Sequence, residues 1–120
     1  MGDLTKNFDR EEFVCKCGCG LFNMNPDVIE DLQQFRTMIN RPVIITSGSR
    51  CPYHNHVEGG TNSSAHLTGD AADIATANSK ERYEVIQYFI EVGYRRIGIG
   101  KTFVHVDLND PNPQDVIWLY

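Results

Sequence analysis

One short segment of the sequence carries residue types that commonly bind a metal ion. His66 and Asp73 lie seven residues apart, and Gly69 between them permits a turn that would bring both side chains to one ion. The small Ala71 and Ala72 would allow close packing around such a site. Zinc accepts imidazole nitrogen and carboxylate oxygen, and a catalytic zinc needs three protein ligands and an open position for water.

A third ligand is available further along the chain. His105 lies in an otherwise apolar run of residues 103–106, where an imidazole without a partner would be costly to bury. Taken alone, His105 could equally be a hydrogen-bonded core residue, as strand histidines usually are. The pattern Ser-x-His-x-x-Gly-x-Ala-x-Asp over residues 64–73 is more specific than any one of these residues. Together they make His66, Asp73 and His105 candidate ligands of one metal ion.

The elements that would position these residues follow from periodicity and turn residues. Asn25-Pro26 is typical of a helix start, and apolar residues at helical spacing continue to about Asn40. A second helix is capped by Ser79 and stopped by Gly93. Strands are predicted over 43–46, 71–75, 96–100 and 102–108, with a long polar loop from 52 to about 64 and a Pro- and Asn-rich tail over 109–120. This pattern predicts one α+β domain over residues 1–120, with an irregular N-terminal arm over 1–24.

Composition and charge exclude several classes of function. The 120 residues suffice for one domain, and the net charge of −5 without a Lys/Arg cluster argues against nucleic-acid binding. No apolar run approaches the roughly 20 residues that cross a bilayer, so we expect no membrane insertion. The first six residues lack an apolar stretch of the signal-peptide type, so action outside the cytoplasm would need another route of delivery or an N-terminus that has been trimmed. A monomer is the default expectation.

The four cysteines leave three interpretations open. Cys15, Cys17 and Cys19 alternate with other residues in the arm, and Cys51 lies further along. Disulfides between positions only two apart are geometrically awkward. A structural zinc site, a disulfide that includes Cys51, and free thiols are each compatible with the sequence.

Three motifs in order resemble one enzyme family. The pattern of residues 64–73 resembles the signature of the zinc D-Ala-D-Ala carboxypeptidase family, which also includes D-Ala-D-Ala dipeptidases and L-Ala-D-Glu endolysins. Residues 46–50 resemble its upstream Ser-Gly-Tyr-Arg segment, with Ser49 in place of the usual Tyr. Residues 104–107 are similar to the C-terminal His-x-Asp strand motif of its small members. The resemblance covers roughly residues 8–118.

The resemblance implies a fold and a set of site residues. It implies the fold of the Hedgehog signalling domain, a small antiparallel sheet packed against helices with zinc in a surface cleft. His66, Asp73 and His105 would be the zinc ligands. Arg50 would hold a carboxylate of the substrate, a task that suits its rigid fork of donors. Ser64 would bind substrate or orient a ligand. Without the family context, Arg50 could be a surface arginine near a turn and Ser64 a capping serine.

The mechanism implied is metal-assisted hydrolysis, in which a general base lies within reach of the zinc-bound water. Many relatives have Glu or Asp three residues before the last ligand, but this sequence has Thr102 there. Asp107 is the predicted substitute, because residues 105 and 107 point to the same face of a strand. Its alternative role is to orient a histidine ligand. His54 and His56 are weaker candidates for proton transfer or substrate contact.

These observations predict a zinc metallopeptidase, carboxypeptidase or endopeptidase, that acts on the peptide of bacterial cell-wall peptidoglycan. The bond cut could be D-Ala-D-Ala, L-Ala-D-Glu or a crosslink, in a phage or prophage lysis enzyme or in host wall remodelling. One alternative is a non-catalytic zinc-bearing domain of the same fold that binds a peptide or a protein, which Thr102 favours. Another is a redox or structural-metal protein organised around the cysteines.

Overall fold

Five strands form one mixed sheet within residues 2–120, the part of the chain that the computed structural model describes. They are β1 (Ile45–Ser47), β2 (Ala71–Ala75), β3 (Arg96–Ile99), β4 (Phe103–Asp107) and β5 (Val116–Leu119). Their order across the sheet is β1-β2-β4-β3-β5, and every pair is antiparallel except β3 with β5. The predicted α+β class is confirmed. One pair is parallel because the tail crosses over and returns beside β3 in the same direction.

In the described part of the chain, three α-helices and two short 3₁₀ helices accompany the sheet. They are α1 (Pro26–Ile39), α2 (Pro52–Val57) and α3 (Ser79–Glu91), with 3₁₀ turns at Arg10–Glu12 and Ala65–Thr68. The start of α1 is as the sequence predicts, because the Asn25 side chain accepts a hydrogen bond from the backbone of Asp27 and Pro26 takes the first position. Among residues 2–120, no helix has the length and apolar character needed to cross a bilayer.

The segment expected to be a long polar loop is partly helical. Pro52 takes the first position of α2, and the Cys51 sulfur accepts a hydrogen bond from the backbone N–H of His54. The prediction of a loop from residue 52 was therefore wrong for the first half of the segment. Its shortness and polar composition hid the helix, because only Tyr53 and Val57 share the spacing of one helical turn, and both are exposed.

Two predicted element boundaries also differ from the structure. Strand pairing of β1 begins at Ile45 rather than Val43. The side chain of Ile44 is exposed and that of Ile45 is buried, because successive side chains of a strand point to opposite faces. The cap of α3 is Asn78 rather than Ser79, since the Asn78 side chain accepts a hydrogen bond from the backbone of Glu81.

The two faces of the sheet have different compositions. Successive side chains of a strand point to opposite faces. In β2 and β4, apolar residues (Ala72, Ile74, Val104, Val106) alternate with Asp73 and His105. The apolar residues belong to a core that also contains residues of α1, α3 and the N-terminal arm, among them Phe8, Phe13, Phe35 and Phe89. The opposite face is therefore left to carry the polar residues of the candidate site.

Candidate metal centre and cleft

Residues that could bind a metal ion or a substrate lie in one row across the sheet. Ser47 of β1 pairs with Asp73 of β2, Asp73 pairs with His105 of β4, and His105 pairs with Gly98 of β3. Gly98 pairs in turn with Trp118 of β5. Residues that share a row of paired strands also share a face. The register of the sheet therefore brings together side chains that are far apart in the sequence.

His66 reaches this row from outside the sheet. It lies on the 3₁₀ turn Ala65–Thr68, where its backbone N–H donates to the Ser64 hydroxyl at 3.2 Å. The turn ends at Gly69 with φ +76°, and a Cβ there would collide with the backbone carbonyl of Asn23. Glycine is needed at this position both for its backbone angle and for the lack of space. The turn leads directly into β2 and so sets His66 beside Asp73.

His66, Asp73 and His105 converge on one point. The Asp73 carboxylate Oδ1 lies 3.1 Å from His66 Nε2 and 2.9 Å from His105 Nδ1. One potential ligand atom from each of the three side chains lies within 4.8 Å of the other two, and all three residues are buried. The structure thus brings together the three predicted ligands.

The outward nitrogen of each imidazole has its own partner. His66 Nδ1 lies 2.8 Å from the carbonyl oxygen of Gly48, which can only accept, so the nitrogen donates. His105 Nε2 lies 2.7 Å from the Asp107 carboxylate. A metal ion requires the protons on these outer nitrogens, so that His66 Nε2 and His105 Nδ1 offer it their lone pairs beside Asp73 Oδ1. Without an ion, the inner nitrogens can instead carry a proton and donate to Asp73 Oδ1. Two imidazole nitrogens and one carboxylate oxygen make a donor set that fits zinc and leaves a fourth position open.

The charges of the centre stabilise one another. Burial disfavours the charged form of Asp73, but hydrogen bonds from His105 and His66 outweigh it and lower the pKa of the carboxyl well below its usual range. Burial likewise opposes a charge on His105, yet its hydrogen bonds to Asp107 and Asp73 raise the pKa of this imidazole. A metal ion that binds here must displace a proton that the metal-free site retains, so metal affinity will depend on pH.

Asp107 lies on the far side of the His105 ring from Asp73. Its Oδ2 lies 2.7 Å from His105 Nε2, and its Oδ1 accepts from Arg96 Nε at 2.8 Å and from the backbone N–H of Asn109 at 3.0 Å. The Asp107 side chain has no exposed surface. Both oxygens are engaged, which favours the role of orienting His105 over the general-base role that the sequence predicts for Asp107.

Arg50 extends along the edge of the same centre. Its Nε donates to the Ser47 hydroxyl at 3.0 Å, and its two terminal nitrogens lie 3.4 Å from Asn55 Oδ1 and from Asp73 Oδ2. Arg50 therefore contacts the carboxylate oxygen of Asp73 that does not face the histidines. A guanidinium has five N–H donors, so two of them are not used in these contacts.

A cleft of about 830 Å³ opens over the metal centre. The predicted residues Arg50, Ser64 and Asp107 line it, and so does Thr102. His54 also lines the cleft, one helical turn from Glu58, with its Nε2 3.4 Å from Glu58 Oε1. His56 is exposed and is not a lining residue. Of the two histidines of α2, the structure favours His54 for contact with a substrate.

Sequence reasoning missed the aromatic wall of the cleft. Trp118 and Tyr120 both line it, and the Trp118 ring lies 5.3 Å from the His105 ring and 4.9 Å from the guanidinium carbon of Arg96. Trp118 and Tyr120 are two residues apart, as side chains on one face of a strand must be. That spacing is the signal in the sequence that could have identified them.

The structure also gathers the four cysteines. Sulfur atoms of Cys15, Cys17, Cys19 and Cys51 all lie within 4.8 Å of one another, and none of the four forms a disulfide.

Comparison with known protein families gives a match over most of the chain. A family model described as Peptidase M15 matches residues 6–107, which is most of the chain and includes all three residues of the metal centre. The matched segment ends at Asp107, so β5 with its aromatic residues lies outside it. No curated protein matches the chain.

Proposed function

The chain belongs to the peptidase M15 family, whose members are zinc-dependent, and on that basis we propose that it is a zinc metallopeptidase of bacterial cell-wall peptidoglycan. It would cut a peptide bond of the wall, as a D-Ala-D-Ala carboxypeptidase or as an endopeptidase of the endolysin type, either in phage lysis or in host wall remodelling. The single observation that carries the proposal is the convergence of two imidazole nitrogens and one carboxylate oxygen at the floor of an open cleft.

His66, Asp73 and His105 would hold the metal. When bound, zinc supplies a Lewis acid for the scissile carbonyl and lowers the pKa of a bound water towards 7. The Gly48 carbonyl and the Asp107 carboxylate keep the two imidazoles in the tautomer and orientation that a metal ligand needs.

Arg50 would bind a carboxylate of the substrate. Its two unused N–H donors belong to a side chain that lines the cleft and touches Asp73, so a peptide carboxylate held there would lie beside the metal centre. Charge-assisted hydrogen bonds of this kind are short and directional. The hydroxyl of Ser64 accepts from the backbone of His66, and its own proton is available to a substrate carbonyl.

The residues that line the cleft also suit a peptide ligand. Trp118 and Tyr120 offer apolar surface on one wall, whereas Lys16, His54 and Glu58 contribute charge and hydrogen bonding elsewhere in the lining. Apolar surface gives a bound ligand contact area, and a few fixed polar groups set its orientation.

A second candidate function is a non-catalytic domain that binds zinc and a wall peptide or a protein. Two observations favour it: Thr102 occupies the position where many relatives have an acid, and both Asp107 oxygens are engaged by other protein groups. Such a domain would use the same metal centre and the same cleft without turnover.

Metal content and digestion of purified peptidoglycan, measured on the same preparations, test the proposal. The wild-type protein should contain zinc and release new amino groups from the wall, and His66→Ala should lose about one equivalent of zinc together with the activity. His56→Ala is the matched control, because His56 is exposed and does not line the cleft. Zinc bound through His66 and cosedimentation with the wall, without release of amino groups, would instead identify the binding domain.

A further inference from the structure

The four cysteine sulfurs are arranged as ligands of a second metal ion. Cys17 Sγ lies 3.5 Å from Cys15 Sγ and 3.6 Å from Cys51 Sγ, too far for a bond between sulfurs, which is about 2.0 Å long. Four thiolates around a tetrahedral zinc at about 2.3 Å stand about 3.8 Å apart. We propose that Cys15, Cys17, Cys19 and Cys51 bind a structural zinc ion, separate from the centre formed by His66, Asp73 and His105.

The backbone of the arm is shaped to present three sulfurs in a short span. The N–H of Cys15 donates to the Leu21 carbonyl at 2.9 Å, and the N–H of Gly18 donates to the Cys15 carbonyl at 3.3 Å. Gly18 and Gly20 have φ values of +89° and +85°. Space does not require glycine there, since a Cβ at either position would meet no atom within 4 Å. The left-handed backbone requires it, and the resulting tight loop folds Cys15, Cys17 and Cys19 around one point.

Backbone amides point at two of the sulfurs. The N–H of Cys51 donates to Cys15 Sγ at 3.4 Å, and the N–H of His54 donates to Cys51 Sγ at 3.4 Å. Hydrogen bonds of this kind stabilise the thiolate form that binds a metal, and they fix the direction of the sulfur lone pairs.

A structural metal ion explains the close approach of the four cysteine sulfurs better than a disulfide does. Any single disulfide would leave two sulfurs without a role, and cysteines two residues apart span too short a segment for easy bridging. Cys15, Cys17 and Cys19 occupy every second position of the arm, and Cys17 and Cys19 are exposed. As free thiols, these exposed cysteines would be open to oxidation. Four sulfur ligands fill all four positions of a tetrahedral ion, so no position remains for water, which is the mark of a structural rather than a catalytic zinc.

The proposed ion would join the N-terminal arm to the edge of the active-site cleft. Cys51 directly follows Arg50, whose backbone N–H donates to the His66 carbonyl at 3.1 Å. Ser49, one residue earlier, donates to the Phe13 carbonyl of the arm at 2.8 Å. An ion held by Cys51 and by the arm would therefore fix the segment that carries Arg50 against the 3₁₀ turn that carries His66.

The cysteine site can be tested in His66→Ala, a variant in which the histidine site is disrupted. The measurements are its zinc content and the reactivity of its thiols. The variant should retain about one equivalent of zinc, and its four thiols should be alkylated at least tenfold faster once a strong chelator removes the metal. Replacement of the remaining zinc by Co²⁺ should produce an intense thiolate-to-cobalt charge-transfer absorption. Because these readouts use neither activity nor the histidine site, they are independent of whether the protein is a peptidase.

Three results would overturn the proposal. They are a His66→Ala protein without zinc, thiols that react equally fast with and without chelator, and fewer than four titratable thiols in the denatured, unreduced protein, which would identify a disulfide. Cys17→Ser in the His66→Ala background should abolish the residual zinc, and Cys17 is exposed, so its loss should disturb packing little. If that double variant does not fold, the chelator and cobalt measurements on His66→Ala decide the question.

Discussion

Asp107 holds the Nε2 side of His105 at 2.7 Å while Asp73 lies 2.9 Å from the Nδ1 side of the same ring. The imidazole is thus fixed between two carboxylates, one of which faces the metal centre. Arg96 in turn donates to Asp107 at 2.8 Å and lies over the Trp118 ring. This chain of contacts runs from β5 to the metal centre and gives Asp107 a positioning role.

Asp107→Asn should weaken zinc binding at the histidine site by about 10- to 100-fold, the usual effect of losing a partner that orients a metal ligand. The amide can still accept the hydrogen bond, but it loses the negative charge that increases the basicity of the imidazole. Competition with a graded series of chelators would measure the change. Asp110→Asn, a change in an exposed loop, is the control and should leave the affinity unaltered. If zinc affinity is unchanged and only kcat falls, Asp107 is a general base instead.

Arg50→Ala should reduce kcat/KM on a wall peptide by about 10- to 150-fold, which corresponds to the loss of one charged hydrogen bond of about 1.5–3 kcal/mol. If Arg50 binds the substrate carboxylate equally in the ground and transition states, most of the reduction should come from a higher KM and little from a lower kcat. Kinetics with a soluble peptide substrate would separate KM from kcat. Arg95→Ala is the matched control, because Arg95 forms an exposed ion pair with Asp115 away from the cleft.

Zinc content distinguishes this role of Arg50 from a structural one. The Arg50 guanidinium lies 3.4 Å from Asp73 Oδ2, so it could also act by keeping the carboxylate in place. A substrate-binding Arg50 can be removed with full retention of zinc at the histidine site. Loss of zinc in Arg50→Ala would show that the arginine supports the metal ligand and would contradict its assignment to the substrate.

Much of the fold and of the site could be predicted from the sequence, because the relevant signals are local. The spacing of apolar residues predicted α1, and short runs of strand-forming residues bounded by turn residues predicted strands at the positions of Asp73 and His105. The three motifs predicted the peptidase family, which the family comparison confirms. The roles assigned to His66, Asp73 and His105 stay predictions until metal content is measured.

The parts that the sequence did not reveal depend on contacts between distant residues. β5 pairs with β3 across a tail rich in Pro and Asn, and nothing within the tail indicates that partner. The engagement of both Asp107 oxygens requires the register of β3 against β4, which brings Arg96 alongside. Similarly, the gathering of Cys51 with the arm follows from the packing of Phe13 against the segment before α2, whereas spacing alone left three interpretations open.

Gly69→Ala should destabilise the protein by about 2 kcal/mol or more, because φ +76° costs an alanine about 1–2 kcal/mol and its Cβ would also strike the Asn23 carbonyl. Gly59→Ala is a close control, since Gly59 has the same φ of +76° but nothing within 4 Å of its Cβ position. Urea denaturation gives the free energy of unfolding of both variants, and the difference between them measures the cost of the collision with Asn23. Equal destabilisation would mean that the Asn23 segment moves away at little cost and that the backbone angle alone matters.

Asp31→Asn should stabilise the protein at neutral pH by less than about 1 kcal/mol, and the gain should disappear on acidification. Burial raises the pKa of Asp31, the nearby Asp27 and Glu30 raise it further, and the hydrogen bond from the Tyr94 hydroxyl at 2.8 Å only partly opposes them. A carboxyl whose pKa is raised on folding binds more protons in the folded state. Stability therefore falls as the pH rises from about 3.9, the pKa of an unfolded Asp, through the raised folded value.

Asparagine cannot titrate, but its amide oxygen can still accept the hydrogen bond from Tyr94. The variant thus removes a partly buried charge and keeps the contact, so its advantage over the wild type should be full at pH 7 and absent near pH 3. Urea denaturation at both pH values measures this, and Asp110→Asn corrects for the general effect of removing one negative charge from an acidic protein. If Asp31→Asn is less stable than the wild type at pH 7, the ionised hydrogen bond between Asp31 and Tyr94 outweighs the cost of burying the charge.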